Sequence, residues 1–453
     1  MNTEIRPAQV HANVPMVSAA DADLLRVPPA TGGCGLPSGH PLAEIVGRAE
    51  TDRLVEAIDS AQRVHVLTGP AGIGKTTVAR AAALTLRERD PDRALWWISA
   101  RDRGSLVEGL AALAAELGAD DAEVSRARES GSRRTMWRIV ERALTGPAGD
   151  PRRLLVVDGA DDPDDLRSVL DGSRRLVAKN LLVVVTTRLG DAGAGLVGVD
   201  RTPVVLLDRR GCAELLRKRL PGMGQARFEE IADLAGDVAE RLDRLPLALH
   251  VAGTRHGSTP VQHTLRGLLD ALDGLGAAAG PGDDPVRCVC FAVQVALEDI
   301  PDAGKPAAEV VLHLLAALAP GQPFPLAALE VAVRPLVAAD LTSDEPWIPL
   351  LERGRRTLVH SGLAALAAFG MDGGNPVASV HPLVAEAVRR APTPAGADPS
   401  ARFAATAVDR VTRHLGDRPV SDATLSLWRL VIPHVDHVLA GAGTAADEVA
   451  LRA

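Results

Sequence analysis

The sequence predicts an α/β fold, a five-stranded parallel sheet with helices on both faces, followed by a helical domain and a winged-helix domain. Three observations lead there. Short apolar runs alternate with helical patterns from Ile45 to about residue 207, the signature of strands buried on both faces and joined by crossover helices. A glycine-rich segment, Gly69 to Thr76, falls between the first such run and a helix-forming stretch. After Asp208 strand-like runs become rare, and Phe228, Ile231, Leu234, Val238, Leu242 and Leu245 recur at three- and four-residue spacing, which puts them on one helical face.

Residues 1–43 contain Pro7, Pro15, Pro28, Pro29, Pro37 and Pro41 and a glycine-rich run around Cys34. Neither a helix nor a strand period survives that spacing, so a flexible arm is expected. The nucleotide-binding domain is expected over 44–207, with strands at Val64–Thr68, Ala94–Ser99, Leu154–Asp158, Leu181–Thr186 and Val204–Leu207. A helical domain over 208–280 follows, opened by Asp208 as an N-cap, and a Gly/Pro/Asp linker closes it. The winged-helix domain is expected over 285–392. It holds helical patterns around 286–298, 308–319 and 350–362, then two short strands, Leu363–Phe369 and Val377–Val380, about the turn Asp372–Asn375. A second Pro-rich break precedes a C-terminal helical segment over 397–453.

The 453 residues, 46% hydrophobic and 24% charged, match about three domains and exclude a disordered chain. A formal net charge of −8 excludes a chain-wide nucleic-acid-binding surface. Five Phe, five Trp and no Tyr leave few rings on which bases could stack. The chain shows neither a membrane-length apolar stretch nor a signal-peptide core. A cytoplasmic location without a membrane partner is therefore expected. Cys34, Cys212, Cys288 and Cys290 have neither disulfide-framework nor zinc-site spacing, and His434 and His437 lack further ligands nearby in sequence.

Gly69-Pro70-Ala71-Gly72-Ile73-Gly74-Lys75-Thr76 is a full match to the phosphate-binding pattern G-x-x-x-x-G-K-[ST]. Its glycines let backbone N–H groups turn inward around phosphate oxygens, and the following helix, beginning near Thr77, adds its N-terminal partial charge. Lys75 is placed to reach the β- and γ-phosphates, and Thr76 to ligate Mg²⁺. A metal on phosphates also calls for a carboxylate on a neighbouring strand, which Leu154-Leu155-Val156-Val157-Asp158 supplies. Gly159 follows where many hydrolases of this kind carry a second, water-orienting carboxylate. Asp161 and Asp162 are out of register, so any Mg-dependent ATP hydrolysis is expected to be slow.

These residues, taken in order, resemble the NB-ARC group of STAND signal-transduction NTPases, which includes plant resistance proteins and animal apoptosome ATPases. The resemblance covers about residues 45–392. Val46-Gly47-Arg48 matches the opening motif, which implies contact with the adenine side of the nucleotide. Thr186-Thr187-Arg188 resembles the sensor segment and implies that Arg188 senses the γ-phosphate. Leu245-Pro246-Leu247-Ala248-Leu249 resembles the G-L-P-L motif, with Arg244 in place of its glycine, and implies that Pro246 packs on the base or ribose. Val380-His381-Pro382 stands where the group has M-H-D; only the histidine transfers, and it implies a contact from His381 to the β-phosphate of ADP.

The resemblance implies an ATP/ADP switch, closed with ADP and opening with ATP to self-associate as a homo-oligomer. Its upstream ligand and downstream effector are not named by any motif. A rival reading is an ATP-controlled transcriptional regulator that reads DNA through the winged helix, supported by the basic residues Arg353, Arg355 and Arg356. A third is a constitutive P-loop enzyme, against which Gly159 argues.

Overall fold

The computed structural model describes residues 49–60, 64–144, 153–177, 181–191, 197–219, 232–254, 261–274, 285–298, 300, 305–326, 328–329, 354–359, 361–369, 375–390, 399–417, 419 and 422–441. The expected arm, the opening motif Val46-Gly47-Arg48, Arg353 and the linkers at 279–284 and 391–396 lie outside them.

Five parallel strands form the first sheet: β1 (Val64–Thr68), β2 (Ala94–Ser99), β3 (Arg153–Asp158), β4 (Leu182–Thr187) and β5 (Val199–Pro203), in the order β2-β3-β4-β1-β5. Their side chains alternate between two cores, as a strand's two-residue period requires. Val64, Val66, Leu155, Val157, Val183 and Val185 face one, while Leu67, Leu154, Val156, Leu182 and Val184 face the other. Helices α1 (Ala49–Ser60) and α2 (Lys75–Arg89) cover the second face. Helices α3 (Arg103–Glu116), α4 (Asp121–Glu129), α5 (Arg133–Ala143) and α6 (Pro163–Val177) cover the first. Asp102, Asp120 and Ser132 start α3, α4 and α5 by accepting backbone N–H bonds with their side chains. Trp96 and Trp97 are buried in opposite cores.

The fifth strand corrects the sequence expectation. It is Val199–Pro203, not Val204–Leu207; beyond it the Val204 N–H pairs with the Thr68 carbonyl at 2.8 Å and the Val205 N–H with Glu50 Oε1 at 3.2 Å. Val205 and Leu206 are 58% and 39% exposed. As the edge of the sheet β5 tolerates Asp200, Arg201 and Thr202, and the apolar residues after it lead out of the sheet.

Beyond the sheet come helices α7 (Arg209–Arg219), α8 (Ala232–Arg241), α9 (Pro246–Gly253), α10 (Val261–Gly274), α11 (Pro285–Glu298) and α12 (Lys305–Ala317). A three-stranded antiparallel sheet follows, in the order β6-β8-β7, from β6 (Phe324–Pro325), β7 (Ala365–Phe369) and β8 (Asn375–Ser379). Helices α13 (Pro382–Arg390), α14 (Pro399–Gly416) and α15 (Asp422–Gly441) end the described chain. One apolar core runs from Leu207 to Val431 through all of these helices, so the C-terminal half packs as a continuous body against which the nucleotide loop is set.

Candidate nucleotide site

The loop after β1 has the backbone that its glycines allow. Gly69, Gly72 and Gly74 have φ of 147°, 75° and 98°, conformations that L side chains rarely adopt. Gly74 stands at the N-cap of α2 without a side-chain cap, and no acidic residue occupies the first turn. The helix therefore begins with unfilled backbone donors and its full positive end. These features suit a phosphate, which brings both negative charge and acceptor oxygens. Thr77 is exposed in that first turn, whereas Ile73 is buried and contributes backbone only.

Lys75 lies along the loop and donates from Nζ to the carbonyls of Gly69 at 2.7 Å and Pro70 at 2.9 Å. Burial lowers its pKa to about 8, against the pull of Asp161 and Asp158 and with a smaller push from Arg188. The Thr76 hydroxyl donates to Asp158 Oδ1 at 2.8 Å, and the Thr186 hydroxyl donates to the same oxygen at 2.7 Å. Thr186 Oγ1 in turn accepts the Gly159 N–H at 2.8 Å. Hydroxyl and carboxylate oxygens gathered at the strand ends are the hard donors that Mg²⁺ takes. Thr76 and Asp158 fit the metal seat, and Mg²⁺ there would neutralise phosphate charge.

Arg188, at the end of β4, is held by Asp161. Asp161 accepts both its backbone N–H, at 2.6 Å, and its Nε–H, at 2.7 Å. The side chain is 55% exposed. Asp161, out of register in the sequence, is thus brought to the site as the partner of Arg188 and the strongest charge acting on Lys75.

Two helices from the C-terminal half close on the loop. Helix α9 starts with Pro246 at its first position, where a missing N–H costs nothing, and the Leu247 N–H meets the Gly72 carbonyl at 3.4 Å. Leu383 of α13 is so close that a Cβ on Gly72 would come within 2.9 Å of its Cδ1. Gly72 is therefore constrained twice, by its φ and by the helices seated on it.

His381 is the N-cap of α13, its carbonyl accepting from the Ala385 N–H at 2.9 Å. Its Nδ1 accepts the Leu383 N–H at 3.1 Å, which fixes the tautomer with hydrogen on Nε2, the atom left to donate outward. The residue keeps an exposed surface, while the protein packed around it first, then the charges of Arg101 and Lys75, holds the imidazole well below the ordinary histidine range. Arg101 and Lys75 are thus the charged groups that act on His381.

Arg101, which the sequence does not flag, stands two residues past the end of β2. Its Nη1 donates to the Gly321 carbonyl at 3.0 Å, and its Nη2 lies 3.9 Å from Asp158 Oδ2. The discoverable signal is its place at a strand's carboxyl end, where open parallel sheets bind ligands. Among the described residues no group of three or more His, Cys, Asp or Glu side chains is placed to hold a metal ion, and His434 and His437 form none.

Residues 58–185 match the family described as AAA domain. A nucleotide-binding leucine-rich repeat (NLR)-like protein of Hyaloscypha variabilis is 30% identical over 207 residues, which is 42% of this chain and 19% of the fungal one. A Signal Transduction ATPase with Numerous Domains (STAND) protein with a tetratricopeptide repeat sensor from Pyrococcus horikoshii superposes with a TM-score of 0.50 at 15% identity, over 90% of this chain and 52% of that one. The chain thus spans about a fifth of the fungal relative and about half of the archaeal protein. The loop, its metal-side carboxylate, the five-stranded parallel sheet and the helical C-terminal half give this chain a P-loop fold similar to that of the archaeal STAND protein, with the AAA-domain match confined to residues 58–185.

Proposed function

We propose that the chain is a nucleotide-dependent switch in which ADP holds the loop domain and the C-terminal half closed, and exchange for ATP opens them and lets copies associate. One observation carries this reading: the N-terminus of α13, with His381, and the N-terminus of α9 both face the phosphate loop of the other half. A ligand shifts a two-state equilibrium only by its differential affinity for the states. A diphosphate touching Lys75 and His381 binds the closed state through both halves and the open state through one.

In this reading the loop from Gly69 to Thr77 cradles the phosphates, and Lys75 contacts the β- and γ-positions. Thr76 and Asp158 hold Mg²⁺. Val46, Gly47, Arg48 and Pro246 surround adenine and ribose, and Arg188 reaches the γ-phosphate once it leaves Asp161. The three-stranded sheet with α13 serves as the winged-helix sensor. Hydrolysis is slow, because Gly159 offers no carboxylate to orient water. The protein works in the cytoplasm; among the described residues no helix is long and apolar enough to cross a membrane.

The test is to purify the protein without added nucleotide, denature it and identify what is released by chromatography. Retained ADP, lost in Lys75→Ala and reduced in His381→Ala, is the expected result. ADP retention indifferent to His381 overturns the closed-state contact, and identical scattering profiles for ADP- and ATP-loaded protein overturn the switch.

A further inference from the structure

Arg101 is the residue that joins the metal-side carboxylate to the C-terminal half. Asp158 divides its two oxygens: Oδ1 takes the hydroxyls of Thr76 and Thr186, while Oδ2 faces the Arg101 guanidinium at 3.9 Å. The other arm of the same fork donates to the Gly321 carbonyl at 3.0 Å, across 220 positions of sequence. Gly321 sits in the turn before β6, where its own N–H is bonded to the Val380 carbonyl beside His381.

Two glycines make room for this side chain, one in each half. A Cβ on Gly159, φ 82°, would lie 2.8 Å from Arg101 Cγ. A Cβ on Gly321, φ 75°, would collide with Arg101 Nη1 and lie 3.1 Å from Pro382 Cγ. The space beside Asp158 where a second carboxylate would stand is therefore filled by an arginine. The nearby bonds from Gln322 Nε2 to Ser105 Oγ at 2.9 Å and Asp102 Oδ2 at 3.3 Å hold the same turn against α3.

We infer that Arg101 is a positioning residue that stands in for the metal in the closed state: its guanidinium supplies the positive charge beside Asp158 while Gly321 holds it there, and Mg²⁺ takes over when the halves part. The charge logic is direct. A carboxylate buried at a strand end requires a compensating cation, and a divalent ion beside a fixed guanidinium is repelled by it. A guanidinium is a permanent cation whose planar fork can serve two acceptors at once. Closure thereby selects the metal-free diphosphate form, and opening admits the metal-bound triphosphate. The inference rests on the nucleotide reading of the loop.

The experiment measures the affinity of a fluorescent ADP analogue by titration in excess EDTA and in excess Mg²⁺, for wild type, Arg101→Met and Arg101→Lys. Circular dichroism and thermal midpoints show that each variant is folded. Arg101→Met retains the stem that packs on Gly159 and removes the charge; Arg101→Lys retains the charge and loses the fork. Wild type is expected to bind ADP with little change between EDTA and Mg²⁺. Arg101→Met is expected to lose about tenfold or more in EDTA and to recover in Mg²⁺, with Arg101→Lys between them. Equal metal dependence in wild type and Arg101→Met overturns the inference while leaving the loop reading intact. A wild type that binds no analogue in either condition overturns both, and a Lys75→Ala control that binds as well as wild type overturns the loop reading itself.

Discussion

At the scale of single residues, Arg244 shows how a departure from a motif is read from the backbone. It stands where the resemblance has glycine, and its φ is 53°, with Asp243 beside it at 48°. Left-handed backbone costs an L side chain roughly 1–2 kcal/mol. Glycine avoids that cost but adds about 0.4–1 kcal/mol of unfolded-state entropy to be lost. The side chain itself offers little in return: its ion pair to Glu240 is 4.0 Å long and exposed on both sides, a geometry that contributes next to nothing. Arg244→Gly should therefore raise stability by about 0.5–1 kcal/mol, the surplus of the relieved strain over the entropy. A urea midpoint that falls on this substitution would show that Arg244 makes a contact worth more than its strain. The same backbone logic explains the glycine of the motif: the chain turns left-handed just before Pro246 so that α9 can point its N-terminus at Gly72.

At the scale of elements, helix-to-sheet packing sets positions that propensity alone gets wrong. Gly109 lies inside α3, where alanine would be favoured by about 1 kcal/mol. Here a Cβ would collide with Ile98 of β2, so Gly109→Ala is expected to cost about 1–3 kcal/mol through overpacking. Ile98→Ala, which removes the colliding Cγ2, should return part of that loss in the double variant, and additive losses would argue that the collision is not the cause. What could be read from the sequence follows the same divide. The strands at 64–68, 154–158 and 181–186 were visible because both their faces are buried, and the loop because its spacing encodes a backbone. β5 was displaced because an edge strand needs only one covered face, and its polar Asp200-Arg201-Thr202 carries no apolar signal. Helix α4 buries only Val124 and Ala127, too little for a periodic pattern to show. Thr76 and Asp158 were legible as a pair, but Arg101 was not, since its partner Gly321 is brought to it by folding. The two constraints on Arg188 and Asp161 likewise appear only when the β3 and β4 ends meet.

At the scale of the whole molecule, the turn that carries Gly321 is clamped from its far side by the C-terminal helix. His434 of α15 is 1% exposed; its Nδ1 accepts the Ala319 N–H at 3.1 Å and its Nε2–H reaches the Pro323 carbonyl at 3.2 Å. The ring also meets Phe324 edge-on, 5.0 Å between centroids. Both hydrogen bonds are made by the neutral ring alone, because a second proton on Nδ1 would face the Ala319 N–H. Burial accordingly lowers the pKa to about 4, partly opposed by the bond to Pro323 and aided slightly by His437. In the unfolded chain the same histidine titrates near the ordinary value of about 6.5. Its folded pKa is the lower one, so the unfolded chain binds the proton more readily. The stability that His434 contributes is complete above about pH 6.5 and is lost as pH falls toward about 4, on the order of 3 kcal/mol in all. Thermal midpoints measured between pH 7 and pH 4 should fall across that window in wild type and fall less in His434→Gln, which starts from a lower midpoint. Parallel curves would place the acid sensitivity elsewhere. Because the clamp holds residues 319–323, and Gly321 within them holds Arg101, acid loosening should also weaken ADP retention at pH 5 while the sheet domain stays folded. Retention that persists until the whole chain unfolds would show that the C-terminal helix stabilises the molecule without bearing on the nucleotide site.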